Sequence, residues 1–234
     1  MKFATPLIGG TLVKRYQRFL ADITLPDGTL ITAHCANSGS LLTLKSPGSD
    51  VWVSKVPEDK ERKLRYDWQL IRQGEGLVSI NTSLTNHLFE EALTNGTLED
   101  FAPYPVWKRE VTCSPLMRVD FSLGGQDKPF FVEIKSVTHC ENDVAMFPDS
   151  VTARGAKHLG ELTKLAQQGA RTAVVYVMQR NDKELFSYAD HIDPAYARCA
   201  KIAQDQGVEF FCFSCFISLD EIRIDRKLEI KDFR

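Results

Sequence analysis

The sequence has no excess of charge of either sign, since 29 Lys and Arg residues against 31 Asp and Glu residues give a formal net charge of −2. Any binding to a polyanion must therefore come from local basic patches. Long hydrophobic runs are also missing, and none approaches the roughly 20 residues of a membrane span. The first residues, MKFATPLIGG, lack the basic stretch and apolar core of a signal peptide. We expect a cytoplasmic protein that does not enter the membrane.

Cysteine is too sparse and scattered for the disulfide framework of a secreted domain, with 6 residues in a chain of 234. Cys212 and Cys215 form a C-x-x-C, but a zinc site there would lack ligands, because no second pair and no His lies nearby. Within the apolar segment VEFFCFSCFIS they are predicted to be buried, reduced thiols. The length suits one large domain or two small ones.

The first eighty residues contain short strand patterns separated by turns. The predicted strands are 11–25, 29–34, 50–56, 64–72 and 77–80. Strands of this length with Pro and Gly between them are typical of a small β-barrel or sandwich. The sequence predicts an OB-like barrel over residues 1–81.

Barrels of the OB type bind nucleic acid through a basic groove with exposed aromatic side chains. The first predicted strand carries such residues, and a second basic and aromatic cluster surrounds Lys63. Acidic neighbours dilute this second cluster, so an ordinary solvated surface is the alternative interpretation. The predicted nucleic-acid contacts of the barrel are Arg15, Tyr16, Arg18, Phe19 and Lys63.

The second part of the chain, residues 82–234, has the pattern of an α/β (α+β) domain with a mixed central sheet. A helix capped by Thr82 or Ser83 is predicted to run to about Asn95, and further helices are predicted over 152–168 and 194–206. Apolar strands are predicted over 172–178 and 208–217. The alternating residues after Asp220 predict an edge strand or a strap across the domain.

The stretch from Arg118 to Thr138, RVDFSLGGQDKPFFVEIKSVT, predicts a β-hairpin with turn residues between two alternating strands. If the chain turns at residues 126–127, Asp120 lies opposite Glu133 and Arg118 lies opposite Lys135. Opposed like charges destabilise a hairpin unless something compensates. Mg²⁺ or Mn²⁺ bound by Asp120 and Glu133 would compensate. Lys135 would then orient or deprotonate an attacking water.

Two further groups are candidates for this site. Glu110, on the preceding predicted strand, is a candidate third acid, and an exposed strand Glu is the alternative. On the helix predicted over 152–168, Arg154, Lys157 and His158 share one face. Beside a metal site, this basic face could hold phosphate, and Arg154 and His158 are therefore predicted to contact nucleic acid.

The hairpin resembles the PD-(D/E)xK nuclease motif, in which an Asp on one strand and Glu-x-Lys on the next bind metal and activate water. More of the chain resembles the sugar fermentation stimulation protein A family. The matching segments, in order, are RYQRFLADI, HCANSGSL, VSINTSLTNHL, RVDFSL, VEIKSVT and FPDSVTARGAKHLGELTKL. The family loop usually reads Asn-Thr-Gly, whereas here it is Asn37-Ser38-Gly39, which keeps the hydroxyl. The resemblance implies an OB-like domain joined to a PD-(D/E)xK-like domain, DNA binding of low sequence specificity and a role in regulating sugar (maltose) utilisation.

Two functions are consistent with these residues. One is a DNA-binding protein with a divalent-metal site of nuclease type, and the other is a Mg²⁺- or Mn²⁺-dependent phosphodiesterase acting on DNA or RNA. A transcription factor that reads an operator is a weaker third possibility, because no helix-turn-helix or recognition helix is evident. The oligomeric state is left open by the sequence.

Overall fold

The computed structural model describes residues 1–231. Its first six strands form one sheet in the order β3-β2-β1-β4-β5-β6. A parallel pairing of His34 with Asp67 joins β3 to β5 and closes five of the strands into an OB-like barrel. The strands are β1 Ile8–Tyr16, β2 Leu20–Thr24, β3 Leu30–His34, β4 Asp50–Lys55, β5 Tyr66–Gln73 and β6 Gly76–Ser79.

The barrel core follows from alternation along the strands, since alternate side chains such as Ala21, Ile23, Val51 and Val53 are fully buried. The predicted single strand over 11–25 is wrong, because the chain reverses within it to form the β1–β2 hairpin. The turn uses left-handed backbone at Gln17 and Arg18, with φ of 47° and 62°. No Gly or Pro marks this turn, so the alternating pattern conceals it.

The two domains are joined by a short 3₁₀ turn that continues into a helix. Asn81 accepts a hydrogen bond from the Ser83 backbone N–H and begins a 3₁₀ turn that leads into helix α1, Thr85–Thr94. The predicted cap at Thr82 or Ser83 is therefore wrong by one or two positions. The predicted boundary after residue 81 falls between β6 and α1. However, Lys2 forms a β-bridge with Glu221, so the start of the chain packs on the second domain.

The second domain contains a six-stranded mixed sheet in the order β15-β14-β12-β9-β8-β7. Strand β12 pairs in parallel with β9 and β14, and the remaining pairs are antiparallel. The strands are β7 Val106–Ser114, β8 Met117–Gly124, β9 Phe130–Val137, β12 Arg171–Met178, β14 Glu209–Ile217 and β15 Ile222–Leu228. The mixed sheet and the edge position of β15 confirm the predictions, although residues 232–234 of the predicted domain lie outside the described residues.

Helices cover both faces of this sheet. One apolar cluster lies on the side of α1 and includes Leu88, Phe89 and Ile134. The other lies on the side of α2, Ala153–Gln167, and α3, Pro194–Asp205. Strand β9 is therefore buried on both faces, which explains why its charged side chains are enclosed.

Three short strands form an additional sheet that the sequence did not predict: β10 Cys140–Glu141, β11 Val144–Phe147 and β13 Phe186–Tyr188. Within residues 1–231 no helix is long and apolar enough to cross a membrane.

Cys212 and Cys215 are free, buried thiols, and burial raises the pKa of each thiol well above its ordinary value. The burial of both thiols supports the interpretation of the C-x-x-C as part of the core.

Candidate metal site and interdomain cleft

The β8–β9 hairpin has the register predicted from the sequence, with Phe121 opposite Val132 and Leu123 opposite Phe130. The pairing ends at Phe121 and Val132, one residue short of Asp120 on β8 and of Glu133 on β9. Here Asp120 Oδ2 accepts a hydrogen bond of 2.7 Å from the backbone N–H of Ile134. The two acids therefore lie side by side, one on each strand of the hairpin.

Glu133 is almost fully buried, and two basic side chains meet one of its oxygens. Lys135 Nζ donates to Glu133 Oε1 at 2.6 Å, and His158 Nδ1 lies 2.6 Å from the same atom. Burial by itself raises the pKa of Glu133. The hydrogen bonds and charges of His158 and Lys135 outweigh burial and lower the pKa below its ordinary value. Glu133 is therefore held as a carboxylate inside the protein.

Asp120 is perturbed in the opposite direction. Burial is the largest cause that raises its pKa, and the charge of Glu133 raises it further. The hydrogen bond from Ile134 and a second one of 2.9 Å from Asn86 Nδ2 offset only part of this effect. Asp120 and Glu133 are thus close enough for one carboxylate to disfavour ionisation of the other.

This donor set fits a divalent cation that keeps part of its water shell. Both basic side chains bind Oε1, and no hydrogen bond within residues 1–231 reaches Glu133 Oε2. Across the described part of the chain, no group of three or more His, Cys, Asp or Glu side chains is placed to hold a metal. Mg²⁺ is commonly bound by one or two carboxylates with water and phosphate oxygens, rather than by an all-protein cage. Asp120 and Glu133 match that pattern.

Glu110 lies on β7 but does not join this cluster. Its backbone is left-handed, with a φ of 54°. Its exposed carboxylate forms an ion pair with Arg118, in which Oε2 lies 2.8 Å from Nε. The expected neighbour of Lys135, Arg118, is thereby turned toward β7. The structure therefore brings Asp120, Glu133 and Lys135 together but leaves Glu110 with Arg118.

The expected basic face of α2 is divided between the surface and the interior. Arg154 and Lys157 are exposed, whereas His158 is buried against Glu133. Its other ring nitrogen, Nε2, lies 3.4 Å from Arg154 Nε. The prediction that His158 contacts phosphate at the surface is corrected, because the ring is buried and its Nδ1 is hydrogen-bonded to Glu133. The i, i+4 spacing still links Arg154 to the site through His158.

The prediction that Arg15 contacts phosphate is also corrected, because its guanidinium is hydrogen-bonded to backbone carbonyl groups of the protein itself. Its nitrogens donate to the backbone carbonyls of Asn37, Gly39 and Ser40 at 2.8, 2.9 and 3.1 Å, and a fourth bond of 3.0 Å reaches the Arg18 carbonyl. These bonds hold the loop over residues 37–40 against the barrel. Arg15 therefore orders a loop instead of presenting free donors to phosphate.

The remaining predicted contacts of the barrel lie on its surface. Arg18 and Phe19 are exposed in the β1–β2 turn, and Phe19 stacks on His34 with ring centroids 6.5 Å apart. The Tyr16 hydroxyl donates to Asp22 at 3.1 Å, while Lys63 is exposed on the β4–β5 connection. Of the predicted set, Arg18, Phe19 and Lys63 are thus the side chains accessible to a ligand.

Sequence reasoning missed the contact between the 37–40 loop and Asp149 of the second domain. Ser40 Oγ donates to the Asp149 carbonyl at 2.7 Å, and the backbone N–H of Leu41 donates to Asp149 Oδ2 at 3.3 Å. A Cβ at Gly39 would collide with this carboxylate, so glycine permits the close approach of the loop to Asp149. The Asn-Ser-Gly tripeptide was recognisable as a turn, but its partner lies more than a hundred residues away.

The architecture and the site define a class: an OB-like barrel joined to a mixed-sheet α/β domain whose central hairpin carries two neighbouring carboxylates, one buried and one half-buried. Comparison with known proteins gives the same division. The sequence profile of the SfsA N-terminal OB domain matches residues 13–80, and that of the sugar fermentation stimulation protein RE domain matches residues 83–221.

Full-length relatives support this assignment. The chain is 44% identical to the sugar fermentation stimulation protein homolog of Rhodospirillum rubrum, over 98% of this chain and 99% of the relative. It is 43% identical to the homolog of Geobacter metallireducens over the same shares of the two chains. The structure of Pyrococcus furiosus SfsA in complex with Ca²⁺ superposes with a TM-score of 0.90 at 26% identity, covering 99% of this chain and 98% of the other. The chain belongs to the sugar fermentation stimulation protein (SfsA) family.

Proposed function

We propose that the protein binds nucleic acid, foremost DNA, with low sequence specificity and holds Mg²⁺ or Mn²⁺ at Asp120 and Glu133. One observation carries this proposal: two adjacent carboxylates are enclosed on β8 and β9, and the charge of Glu133 raises the pKa of Asp120. A fold gains nothing from such an arrangement by itself, since like charges in a low-dielectric setting repel. A divalent cation held by Asp120 and Glu133 would remove this repulsion and would supply positive charge for a phosphate group.

The metal assignment has independent support from a relative, because the matching Pyrococcus furiosus structure is described as a complex with Ca²⁺. Ca²⁺ and Mg²⁺ both prefer oxygen ligands. In this chain, Asp120 would offer one carboxylate and Glu133 would offer Oε2. Bound at these oxygens, the cation would supply charge stabilisation to a phosphate group.

Contact with nucleic acid is assigned to the accessible basic and aromatic side chains of the two domains. Arg154 and Lys157 lie on the exposed face of α2, beside the Glu133 cluster. Arg18 and Phe19 lie in the β1–β2 turn of the barrel. Phosphate contacts of Arg and Lys carry no sequence information, which agrees with low specificity. Stacking on Phe19 is equally tolerant of sequence.

Hydrolysis of a phosphodiester is the second candidate function, and the position of Lys135 favours it. Its ammonium lies 2.6 Å from Glu133 Oε1 and is only 17% exposed, so it is held beside the two acids. There it would orient the attacking water, and His158 would keep Glu133 ionised. The charge of Lys135 also lowers the pKa of Asp120, so the lysine acts on both acids.

The physiological setting is proposed from the family, whose members are named for stimulation of sugar fermentation. A nucleic-acid-binding protein of the cytoplasm could regulate maltose utilisation through its binding. This assignment is separate from the chemistry of the site and does not depend on hydrolysis.

The test is a panel of labelled single- and double-stranded DNA and RNA, incubated with Mg²⁺, Mn²⁺ or EDTA. We expect binding to all sequences and a metal-dependent change that is lost in Glu133→Gln. The control is Glu99→Gln, which removes one exposed carboxylate of the same domain. Equal behaviour of both variants and wild type, with and without metal, would refute a role for the Asp120–Glu133 pair.

A further inference from the structure

Gln179 directly follows β12, is fully buried and lies between β6 of the first domain and β9 of the second. Its backbone N–H donates to the carbonyl of Val137 at 2.9 Å, and its carbonyl accepts from the backbone N–H of Ser79 at 2.8 Å. The main chain of this one residue therefore contacts both domains. Its side chain is enclosed in the interior, where polar groups are normally hydrogen-bonded.

The amide nitrogen of Gln179 joins α1 to β9. Nε2 donates to Thr85 Oγ1 at 2.9 Å and to Ser136 Oγ at 2.6 Å. The Thr85 hydroxyl gives its own proton to the Thr82 carbonyl at 2.7 Å, so it can only accept from the amide. Both N–H groups of the amide are thereby used, and they hold a helix and a strand together at one point.

The two hydroxyls belong to immediate neighbours of the side chains that bind the candidate metal ligands. Thr85 precedes Asn86, which donates to Asp120 Oδ1 at 2.9 Å. The other hydroxyl follows Lys135, which donates to Glu133 Oε1 at 2.6 Å. Because successive side chains of a strand point to opposite faces, the glutamine amide holds β9 from the face opposite the ammonium.

The ladder between the two strands of the hairpin does not supply this link, since pairing between β8 and β9 ends one residue before the two acids. Beyond that point, Asp120 is held by hydrogen bonds from Asn86 on α1 and from the Ile134 N–H on β9. The position of Asp120 beside Glu133 therefore depends on how α1 lies against β9. The Gln179 amide fixes that relation.

The remaining atom of the amide indicates that stability alone does not account for Gln179. Its Oε1 is buried without a hydrogen-bond partner in the described part of the chain. An unpaired buried acceptor costs free energy that an apolar side chain of the same length would avoid. Such local costs are expected of residues that serve a functional site.

We propose that Gln179 is a positioning residue of the metal site, whose amide nitrogen sets α1 against β9 and thereby sets Asn86 and Lys135 against the two acids. This inference rests on the proposed function. It adds a residue that contacts neither the cation nor a phosphate. Hydrogen-bond partners behind metal ligands typically change the affinity for the metal by about 10- to 100-fold.

The test measures the Mn²⁺ affinity of the full chain by calorimetry at neutral pH, together with urea unfolding of the metal-free protein. Gln179→Met keeps the length of the side chain and removes both donors, so affinity should fall by about tenfold. Ser136→Ala should lower affinity in the same direction. The double variant should bind no more weakly than Gln179→Met, because the same bond is removed twice. Ser136→Ala changes a half-buried residue and decides the question if Gln179→Met does not fold.

The matched control is Gln69→Met in the barrel. Gln69 is likewise buried, and its amide donates to Ser54 Oγ at 2.8 Å and accepts from Asn81 Nδ2 at 3.1 Å. This variant should lower the urea midpoint at least as much as Gln179→Met while leaving the Mn²⁺ affinity unchanged. Unchanged affinity in Gln179→Met and Ser136→Ala, or an equal loss in Gln69→Met, would overturn the inference. A wild type that binds no Mn²⁺ would instead overturn the proposed function, so the two failures are distinguishable.

Discussion

His158 on α2 and Glu133 on β9 form a buried contact, with Nδ1 2.6 Å from Oε1, although they are separated by 25 positions in the sequence. The contact joins α2 to the central hairpin and helps to keep the buried Glu133 ionised. Stability and the electrostatics of the candidate site therefore depend on the same histidine.

Replacing His158 by Ala should destabilise the fold, because Glu133 would lose a hydrogen bond while remaining buried. Bonds to charged groups are worth about 1.5 to 3 kcal/mol, so we expect a loss near 2 kcal/mol in urea unfolding at neutral pH. His87→Ala is the control, since His87 is exposed on α1. Its effect should stay within about 0.5 kcal/mol. Equal losses in the two variants would show that the His158–Glu133 contact is not specific.

The stabilisation produced by Mg²⁺ should depend on pH through Asp120. The pKa of Asp120 in the folded protein is raised above the ordinary 3.8. Without metal, the contribution of Asp120 to stability is therefore fully present below pH 3.8 and is lost as the pH rises through the folded pKa. Metal binding requires the ionised carboxylate, so stabilisation by Mg²⁺ changes in the opposite direction and is lost as the pH falls through the folded pKa. Below it, affinity should fall by about tenfold per pH unit.

Thermal unfolding with and without Mg²⁺ across the acid range measures this dependence. Asp120→Asn should abolish the metal-induced rise in Tm at every pH. A rise that persists in this variant, or one that is independent of pH down to the ordinary carboxyl range, would place the cation elsewhere.

Gly39→Ala should weaken the junction between the domains. A Cβ at this position meets the Asp149 carboxylate, which would have to move away from the hydrogen bonds it accepts from Ser40 and Leu41. Overpacking of this kind costs typically about 1 to 3 kcal/mol. The control is Gly160→Ala in α2, where nothing lies within 4 Å of the added Cβ. That change should be neutral or stabilising, because Ala favours helix. Urea unfolding distinguishes the two, and a neutral Gly39→Ala would contradict the close approach.

Much of the fold was predictable because its signals are local. The alternation in β8 and β9, with Gly124, Gly125 and Pro129 between them, predicts both the hairpin and its register. Two helices are likewise followed by a local stop signal, Gly169 after the first and Gly207 after the second. Here sequence neighbours are also neighbours in space.

The parts that could not be predicted depend on contacts between distant residues. A reversal at Gln17 and Arg18 uses left-handed backbone without glycine, so nothing in the pattern marks it. The partners of Arg15 are carbonyl groups more than twenty positions away, and the side chain alone does not show whether it binds them or a phosphate. His158 likewise has the sequence context of a surface histidine. Its burial follows from the packing of α2 on β9.

Arg15 and Arg18 differ in role, and this difference gives the last prediction. Arg15→Ala should reduce stability, because three loop carbonyls lose their donor. Arg18→Ala removes an exposed side chain and should leave the unfolding midpoint unchanged. If Arg18 contacts a phosphate, the slope of log affinity against log salt should become shallower by about 0.7 to 0.9. The loss should be equal on two unrelated DNA sequences, because phosphate contacts do not read bases. A salt titration of both variants measures this. An unchanged slope in Arg18→Ala would move the DNA away from the β1–β2 turn, and a loss confined to one sequence would favour recognition of a specific operator.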